Sequence, residues 1–296
     1  MAKKSRSSKR SRRTGRTGRK WRTAKSSDPH ELYELAVQGT ESDCAFIDRV
    51  FAKRHGRKPH RLREDFCASA QMVRGWVAWR ASNEAVGVDL DAAVLRVARH
   101  RFAALPARER ARTRLLRGDV RTVITDPCEV LLALNFSYFV FKRRSELVNY
   151  FTHARSNIAP GGLMIVDAYG GSGSWSEGEE ERSLDGFTYV WDQAKVNPIT
   201  NEVINHIHFR FPDGSEIRRA FTYEWRLWTL PEISEALVEA GFLKPKVYWE
   251  GTVKKTGEGN GVFKETRAGE ACEGWIVYIV AENPMPTRRR STIRRS

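Results

Sequence analysis

The sequence predicts an α/β fold built on a doubly wound, seven-stranded sheet, with a small antiparallel β-sheet inserted late in the chain. The first observation is that short apolar runs alternate with amphipathic segments through most of the 296 residues. Such alternation is typical of a parallel sheet with helices on both faces. The second is the region 170–228, where the apolar period changes to two, as in half-buried antiparallel strands.

Seven strands account for the apolar runs. They are predicted at 60–64, 85–89, 113–117, 130–135, 163–168, 246–250 and 275–281. Two leading helices are predicted at about 30–38 and 42–55, the second ending at Gly56. A further helix covers 145–158, and the run APGG at 159–162 is expected to stop it. The last helix starts at the capping box Thr229 to Glu232.

The stretch 61–91 carries the most functional information. It reads RLREDFCASA, then an amphipathic helix, then AVGVDLD. A strand ending on acids, a tight turn, a helix and a second strand ending on Asp89 form a nucleoside-binding half of a doubly wound sheet. The turn has no glycine, so it matches neither the dinucleotide fingerprint nor a P-loop. An acid at the start of the turn would repel a phosphate and suits a ligand that bears an amino group.

The segment resembles motif I of class I S-adenosylmethionine-dependent methyltransferases, and more closely a bacterial branch whose turn reads EDFCGTA. Aligned on Cys67, Glu64 takes the place of the family's motif I acid. Phe66, Ala68 and Ala70 stand where the family usually has glycine. The resemblance covers roughly residues 30–283 and includes the run IAPGGLMIVD at 158–167.

The resemblance implies a Rossmann-like methyltransferase fold, strand order 3-2-1-4-5-7-6, and S-adenosyl-L-methionine as the cofactor. Asp89 would bind the ribose hydroxyls, and Glu64 would anchor the methionine moiety. Asp119, after a motif II-like apolar run, would contact the adenine amine. The full set of implied cofactor-binding residues is Glu64, Phe66, Cys67, Ala68, Asp89, Leu90, Asp119, Val120 and Asn135. Asn135 and Tyr138 would face the transferred methyl group as catalytic residues, and no metal is implied.

Several of these residues also have a purely structural interpretation. Asp89 would serve as a helix N-cap, and Glu64 would be a surface acid beside Arg61 or Arg63. Asn135 would be a satisfied buried amide, and Tyr138 a packed aromatic side chain. Asp167 ends the fifth strand, where it either faces the pocket or caps a loop.

The insertion 170–228 is expected to lie over the mouth of the pocket and to shape the substrate site. It opens with GGSGSWSEGEEE, which is expected to be flexible. A hairpin follows, in which apolar residues alternate with polar ones on both sides of the turn PDGS at 212–215. His206 and His208 share one strand face. We expect both side chains to lie at a solvent-facing strand edge; the alternative is that they line the substrate site. In the leading helix, Tyr33 is either a core residue or a cofactor contact.

The positive charge of the chain is concentrated at its two ends. Residues 1–27 hold twelve Lys or Arg and no acid, and residues 284–296 hold five Arg and no acid. The segment 28–283 is left with 34 basic and 36 acidic residues. We therefore expect two basic disordered tails around one methyltransferase domain, 28–283, whose leading helices span 28–56. The tails would favour a nucleic-acid phosphate backbone, or they would be solvated extensions without a partner.

The cysteines and the apolar runs indicate the cellular compartment in which the protein is expected. Cys44, Cys67, Cys128 and Cys272 are widely separated and show neither metal-ligand spacing nor a disulfide framework. No apolar run approaches the roughly 20 residues that span a bilayer. Together these features predict a cytoplasmic protein.

The sequence thus predicts an enzyme that transfers a methyl group by in-line displacement to an unidentified small-molecule acceptor. One alternative is an RNA or nucleobase methyltransferase that uses the basic tails. Another is a catalytically silent methyltransferase-like fold that binds nucleic acid. An NAD-linked oxidoreductase is disfavoured, because the glycine fingerprint is missing. The sequence does not predict the oligomeric state.

Overall fold

A computed structural model describes residues 22–37, 39–253 and 259–286. The helices are α1 (Pro29–Val37), α2 (Thr40–His55), α3 (Gln71–Trp79), α4 (Ala92–Ala103), α5 (Ala107–Arg110), α6 (Arg144–Ser156) and α7 (Leu230–Glu239). The strands are β1 (Arg61–Asp65), β2 (Glu84–Asp89), β3 (Thr113–Arg117), β4 (Cys128–Ala133), β5 (Ile158–Gly170), β6 (Gly178–Leu184), β7 (Phe187–Asn197), β8 (Glu202–Arg210), β9 (Glu216–Arg226), β10 (Lys246–Thr252), β11 (Gly259–Thr266) and β12 (Trp275–Glu282).

The large sheet has the order β11-β10-β12-β5-β4-β1-β2-β3. Strands β1 to β5 pair in parallel, and β12 is antiparallel to both β5 and β10. The predicted fold class is therefore confirmed, and the order is the one that the resemblance implies. Strand β11, which adds an edge strand beyond β10, was not predicted from the sequence.

Helices cover both faces of this sheet. One core lies under α6 and α7, where Leu147, Phe151 and Ile233 are buried together. The other lies under α2, α3 and α4, where Phe51 and Trp76 are among the buried side chains. The carboxyl edges of β1, β2 and β4 are left for loops, as a doubly wound sheet requires of its ligand site.

Local signals set several boundaries as predicted. Gly56 ends α2 in a left-handed conformation with a φ of 66°. The hydroxyl of Thr229 accepts the N–H of Glu232 and completes the predicted capping box at α7. The run 159–162, expected to be a turn after α6, instead belongs to β5. There the register against β4 shifts and Gly161 has a φ of 76°, so the glycines form a bulge within the strand.

The inserted region forms a separate antiparallel sheet with the order β6-β7-β8-β9. The prediction of a flexible opening was wrong, because a short helix, Ser172–Trp175, is followed two residues later by β6. Carboxylates of Glu179 and Glu181 on β6 bind the Arg210 guanidinium of β8. This long-range pairing, together with the ladder to β7, explains why a polar run is ordered.

One face of the inserted sheet connects two parts of the molecule. Ile207 and Phe209 pack in a cluster with Leu32 and Ala36 of α1. Further along the same face, Trp225 joins the core of the large sheet. The inserted sheet therefore spans from α1 to the segment after β4, at the carboxyl edge of the large sheet.

The ordered domain begins earlier than the predicted boundary at residue 28. Residues 24–26 form a short helix, and the Ala24 N–H donates to the Ser215 hydroxyl at 2.9 Å. The rest of the two predicted tails falls on residues 1–21 and 287–296, outside the described ranges, so their disorder stays a prediction. Within the described ranges, no helix combines the length and the apolar character that a bilayer crossing requires.

Candidate active site

The turn between β1 and α3 holds a backbone conformation that favours glycine, although it has no glycine. Phe66, Ala68 and Ala70 have φ values of 58°, 47° and 56°. For a residue with a Cβ, the left-handed conformation costs roughly 1–2 kcal/mol. These are the three positions at which the class I family that the sequence resembles usually has glycine. The turn therefore adopts the left-handed backbone conformation that glycine favours, although it has no glycine. Backbone strain of this kind concentrates at functional sites.

Asp89, at the end of β2, holds this turn in place. Its Oδ2 accepts the N–H of Ala68 at 2.8 Å, and its Oδ1 accepts the N–H of Asp91 at 2.9 Å. Gly87 allows the close approach, because a Cβ there would lie 2.8 Å from the Cys67 Sγ. Asp91, and not Asp89, is the N-cap of α4, so the purely structural interpretation of Asp89 as that cap is wrong.

The carboxylate of Asp89 has acceptor capacity beyond these two bonds. Each of its oxygens has lone pairs left for a further donor. Burial raises the pKa of Asp89, and the N–H groups of Asp91 and Ala68 oppose that effect. Directly after it, Leu90 exposes 64% of its surface, whereas Val120, after β3, is buried. The edge of β2 thus presents an acid and an apolar side chain next to each other.

Glu64 is buried, with 5% of its surface exposed, and its Oε2 has no hydrogen-bond partner among the described residues. Burial raises the pKa of Glu64 well above its ordinary range, and the backbone amide of Val73 offsets this only in part. The interpretation of Glu64 as a surface acid beside Arg63 is therefore wrong. Arg63 instead donates to the neighbouring Asp65 at 2.7 Å.

Asp65 has a structural role that Glu64 lacks. Both Asp65 and its partner Arg63 are fully buried, and the Tyr150 hydroxyl donates to the second oxygen of Asp65 at 3.1 Å. The two adjacent acids point in opposite directions, as successive strand residues do. Of the pair, Glu64 alone is left with a buried, unpaired oxygen.

Asp119 follows β3 and binds the side chain of Arg121. The Arg121 Nη2 lies 2.6 Å from Oδ2, and its Nε lies 3.0 Å from Oδ1. Hydrogen bonding to Arg121 lowers the pKa of Asp119. An adenine amine would have to share this carboxylate with Arg121, so the adenine contact stays a prediction.

A second strained turn follows β4. Asn135 and Phe136 both have a φ of 57°, and their N–H groups donate to the two oxygens of Asp167 at 2.7 and 2.8 Å. Asp167 therefore caps this loop, one of the two roles expected for it. Burial raises the pKa of Asp167 to about 7.

Tyr138 lies below this turn in the core. It is fully buried, packs against Phe139 and Phe151, and donates its hydroxyl to the Asp167 carbonyl at 2.8 Å. A direct contact with a transferred methyl group would require this bond to break. The structure gives Tyr138 the packing role that was its alternative interpretation, and the half-buried Asn135 is the more accessible candidate of the two.

Helix α1 is fixed to the first turn through Glu34. Its carboxylate accepts the Ser69 hydroxyl and pairs with Arg101, and Arg74 lies 3.2 Å away. Ser69 belongs to the strained turn, so α1 closes over the same edge of the sheet as Asp89. The sequence analysis did not single out Glu34, because its partners are distant in the chain.

The inserted sheet covers the turn after β4 with aromatic and polar side chains. Tyr169, at the end of β5, packs on Phe136 with ring centroids 4.7 Å apart. Above it, Asn205 of β8 is fully buried and pairs in register with Tyr223 of β9. Tyr223 in turn interacts with the hydroxyl of Tyr33 from α1. Asn205 was not predicted as a site residue, although it is the one polar residue in the apolar series Val203, Ile207, Phe209 on its strand face.

The chain resembles solved methyltransferase structures along most of its length. A S-adenosylmethionine-dependent methyltransferase from Clostridium acetobutylicum aligns with a TM-score of 0.62 and 15% identity, covering 86% of this chain and 97% of that one. An amino pentose methyltransferase from Micromonospora echinaspora, solved with S-adenosylmethionine bound, aligns at 0.60 and 18%, covering 86% and 95%. A sugar N-methyltransferase from a Streptoalloteichus species aligns at 0.59 and 16%, covering 96% and 99%.

The chain has the methyltransferase fold. No protein-family model matches its sequence, and no curated protein matches it significantly. The likeness therefore lies in the fold.

His206 and His208 do not lie at a solvent-facing edge of this methyltransferase fold, contrary to expectation. Both are buried, because β8 lies between β7 and β9. The Nδ1 of His206 lies 2.9 Å from the Thr222 hydroxyl. The Nδ1 of His208 accepts the N–H of Arg219 at 2.8 Å, so its proton is on Nε2, which faces Asp192 at 3.1 Å.

These bonds decide whether His208 could bind a metal. Its Nε2 groups with oxygens of Asp192 and Glu179, and these are the described His, Cys, Asp and Glu side chains close enough together to hold an ion. A metal on Nε2 would displace its proton, and the ring would then need a proton on Nδ1, where the Arg219 N–H already points. These three residues therefore do not fit a metal.

A surface depression of about 430 Å³ lies at the opposite, amino edge of the large sheet. Its lining includes Arg57, Arg61 and Glu129, and Glu129 accepts the N–H groups of His60 and Arg61. Ligands of a doubly wound sheet bind at the carboxyl ends of the strands, so the depression is separate from the candidate site.

Proposed function

We propose that this chain is a class I S-adenosylmethionine-dependent methyltransferase that acts on a small-molecule acceptor. The observation that carries the proposal is the glycine-free turn after β1, which keeps three left-handed residues beside Asp89. A structural loop would gain nothing from this strain, whereas a backbone that must approach a ligand requires it. The methyltransferase fold and the acids at its carboxyl edge support the same conclusion.

The residues at this edge fit the cofactor. The unpaired, buried Oε2 of Glu64 suits the ammonium group of a methionine moiety. Asp89 retains lone pairs for two ribose hydroxyls, while Leu90 and Val120 would flank the adenine ring. The backbone of Phe66, Cys67 and Ala68 would run alongside the ligand.

When bound, S-adenosylmethionine would supply a methyl group on positively charged sulfur, already activated for in-line displacement. The protein's task is then alignment and exclusion of water. The Asn135 amide, presented on the turn that Asp167 holds, would orient the reacting groups. Helix α1 and the inserted sheet would close the site from solvent.

A small acceptor is supported by two of these neighbours, whose names specify an amino pentose and a sugar. It is also supported by the inserted sheet, which encloses the edge of the site rather than opening it to a long chain. The alternative hypothesis, that the acceptor is RNA, depends on the basic segments, of which 1–21 and 287–296 lie outside the described residues. Their binding to nucleic acid, the cytoplasmic location and the oligomeric state stay predictions.

Titration calorimetry with S-adenosylmethionine tests the cofactor. We expect saturable heat from the unmodified protein and at least roughly tenfold weaker binding for Asp89→Asn, since a carboxylate hydrogen bond is lost. Asp91→Asn, which changes an exposed acid two residues away, should bind as the unmodified protein does. No heat from the unmodified protein would support the catalytically silent fold instead.

A labelled-methyl assay against separated metabolite, RNA and protein pools tests the acceptor. Label in the metabolite pool is the expected outcome. Label confined to RNA would contradict the small-molecule proposal and favour an RNA methyltransferase that uses the basic tails. Deletion of residues 1–21 would then abolish the labelling of RNA.

A further inference from the structure

A buried amide without hydrogen bonds lies above the turn after β4. Asn205 is fully buried, and neither its Nδ2 nor its Oδ1 has a hydrogen-bond partner in the part of the chain that the structure describes. Buried amides are almost always paired, because an unpaired one loses its hydration without compensation. An exception needs a cause, and a ligand that supplies the missing partners is one.

A second unpaired group lies beside it. The Tyr169 hydroxyl is also buried and has no partner among the described residues. It lies near enough for the Asn205 amide to lower the Tyr169 pKa against the larger, raising effect of burial. The contact lacks hydrogen-bond geometry, so three polar atoms on two side chains remain available in one place.

The neighbouring amide shows that this is not a general feature of the inserted sheet. Gln193 of β7 pairs in register with Asn205, but its Nε2 donates to the carbonyls of Ser174 and Ser176 at 2.9 and 2.7 Å. Gln193 has a structural role as an anchor for the segment before β6. Asn205, directly across the ladder, has no such role.

Aromatic contacts connect the pair to the candidate methyl-transfer position. Tyr169 packs on Phe136 of the strained turn, and Trp191 approaches Tyr169 with ring centroids 5.9 Å apart. Tyr223, opposite Asn205, stacks on Trp225 at 4.5 Å. The contacts named here are all aromatic, and the nearby Asp167 carboxylate already accepts two backbone N–H groups.

We propose that Asn205 and Tyr169 bind the methyl acceptor, and that the acceptor offers an uncharged group that both donates and accepts hydrogen bonds, a hydroxyl or a carboxamide. The inference rests on the proposed methyltransferase function and specifies its substrate. The amide oxygen of Asn205 requires a donor, while its nitrogen and the Tyr169 hydroxyl can use an acceptor. Aromatic walls suit a small ring and exclude a phosphate-bearing chain.

Thermal unfolding tests the unpaired state without any ligand. Asn205→Leu, which keeps the volume, and Tyr169→Phe should leave the melting temperature unchanged or raise it, because each removes a buried polar group that bonds to nothing. Asn157→Leu is the matched control. Asn157 is equally buried, but it accepts the Thr125 N–H at 2.8 Å and donates to the His153 carbonyl at 3.0 Å. Its loss should lower the melting temperature by about 2 °C or more.

A transfer assay tests the acceptor contact. With labelled S-adenosylmethionine and the low-molecular-weight fraction of a cell extract, Asn205→Leu should transfer at least about tenfold less label than the unmodified protein. Its calorimetric affinity for S-adenosylmethionine should be unchanged. Addition of RNA to the assay should not restore labelling.

The outcomes separate the two proposals. If the unmodified protein binds no S-adenosylmethionine, the proposed function fails, whereas the melting temperatures still report on Asn205. If Asn205→Leu melts as low as Asn157→Leu, or labels metabolites as well as the unmodified protein does, Asn205 is structural and the acceptor inference is overturned. Label in RNA that survives Asn205→Leu would overturn it as well.

Discussion

The Asp89 carboxylate accepts the main-chain N–H of Ala68 at 2.8 Å, where Ala68 has a φ of 47°. One acid therefore has two tasks: it holds a strained turn and it would bind the ligand that the turn approaches. The strain is local to Phe66, Ala68 and Ala70, whose side chains occupy positions that favour glycine. Its cost can be measured separately from binding.

Ala68→Gly should leave the protein as stable as before or stabilise it by up to about 1.5 kcal/mol. Release of the left-handed strain is worth roughly 1–2 kcal/mol, and the extra freedom of glycine in the unfolded chain offsets about 0.4–1 kcal/mol of it. Urea unfolding measures the difference. The control is Ala78→Gly in α3, where alanine is exposed and helical, and there glycine should cost up to about 1 kcal/mol. Equal losses for the two variants would contradict the strain.

The two adjacent acids of β1 should respond in opposite ways to neutral replacements. Glu64→Gln removes a buried carboxyl whose ionised form is disfavoured by burial and that has no ion-pair partner among the described residues, so stability near neutral pH should stay the same or rise. Asp65→Asn leaves the fully buried Arg63 without its partner and should cost on the order of 3 kcal/mol. Chemical denaturation of both variants tests this.

Cofactor binding provides the second measurement on the same pair. Glu64→Gln should abolish calorimetric binding of S-adenosylmethionine while the protein remains folded. A folded Glu64→Gln protein with unchanged affinity would remove Glu64 from the site.

The pair also shows what the sequence can and cannot predict. Alternation along a strand places Arg63 and Asp65 on one face and Glu64 on the other, so the ion pair was within reach of sequence reasoning. The resemblance assigned Glu64 to the ligand, but no local pattern shows that its Oε2 is left unpaired. That depends on how α3 packs over the strand.

Other errors have the same long-range origin. The run GEEE at 178–181 looks solvated on its own, and its order comes from β7 and from Arg210, about 30 positions away. His206 and His208 were predicted at a strand edge, but β9 pairs with that edge of β8 and makes β8 an inner strand. By contrast, Gly56 and Thr229 act within one helical turn, and both boundaries were predicted from sequence.

Glu34 should determine how firmly α1 covers the site. Glu34→Gln removes the charge shared by Ser69, Arg74 and Arg101, so local opening of 29–37 should become roughly tenfold more frequent, equivalent to about 1.4 kcal/mol. Hydrogen exchange of that segment measures it. Glu31→Gln, on the same helix and paired only with the half-exposed Arg22 among the described residues, should exchange as the unmodified protein does.

Asp167 should make stability depend on pH. Burial raises its pKa to about 7 from an ordinary value of 3.8, so the folded protein keeps a proton that the unfolded chain releases. The contribution of this group is therefore fully present below about pH 4 and is lost as the pH rises towards about 7, with a slope of about 1.4 kcal/mol per pH unit. Asp167→Asn removes the titration and should flatten the curve over that interval, even where the amide itself costs stability.

Urea unfolding from about pH 5 to about pH 8 measures this slope. Asp126→Asn, at a side chain that is 88% exposed, is the matched control, and its curve should run parallel to that of the unmodified protein. Asp167 accepts the N–H groups of Asn135 and Phe136, so the same titration should affect the turn at the candidate methyl-transfer position. The hydrogen bonds to this turn are strongest when the carboxylate is ionised, although the fold is then less stable. Parallel curves for Asp167→Asn and the unmodified protein would show that the buried carboxyl keeps its ordinary pKa, and that the turn after β4 is stabilised without this trade-off.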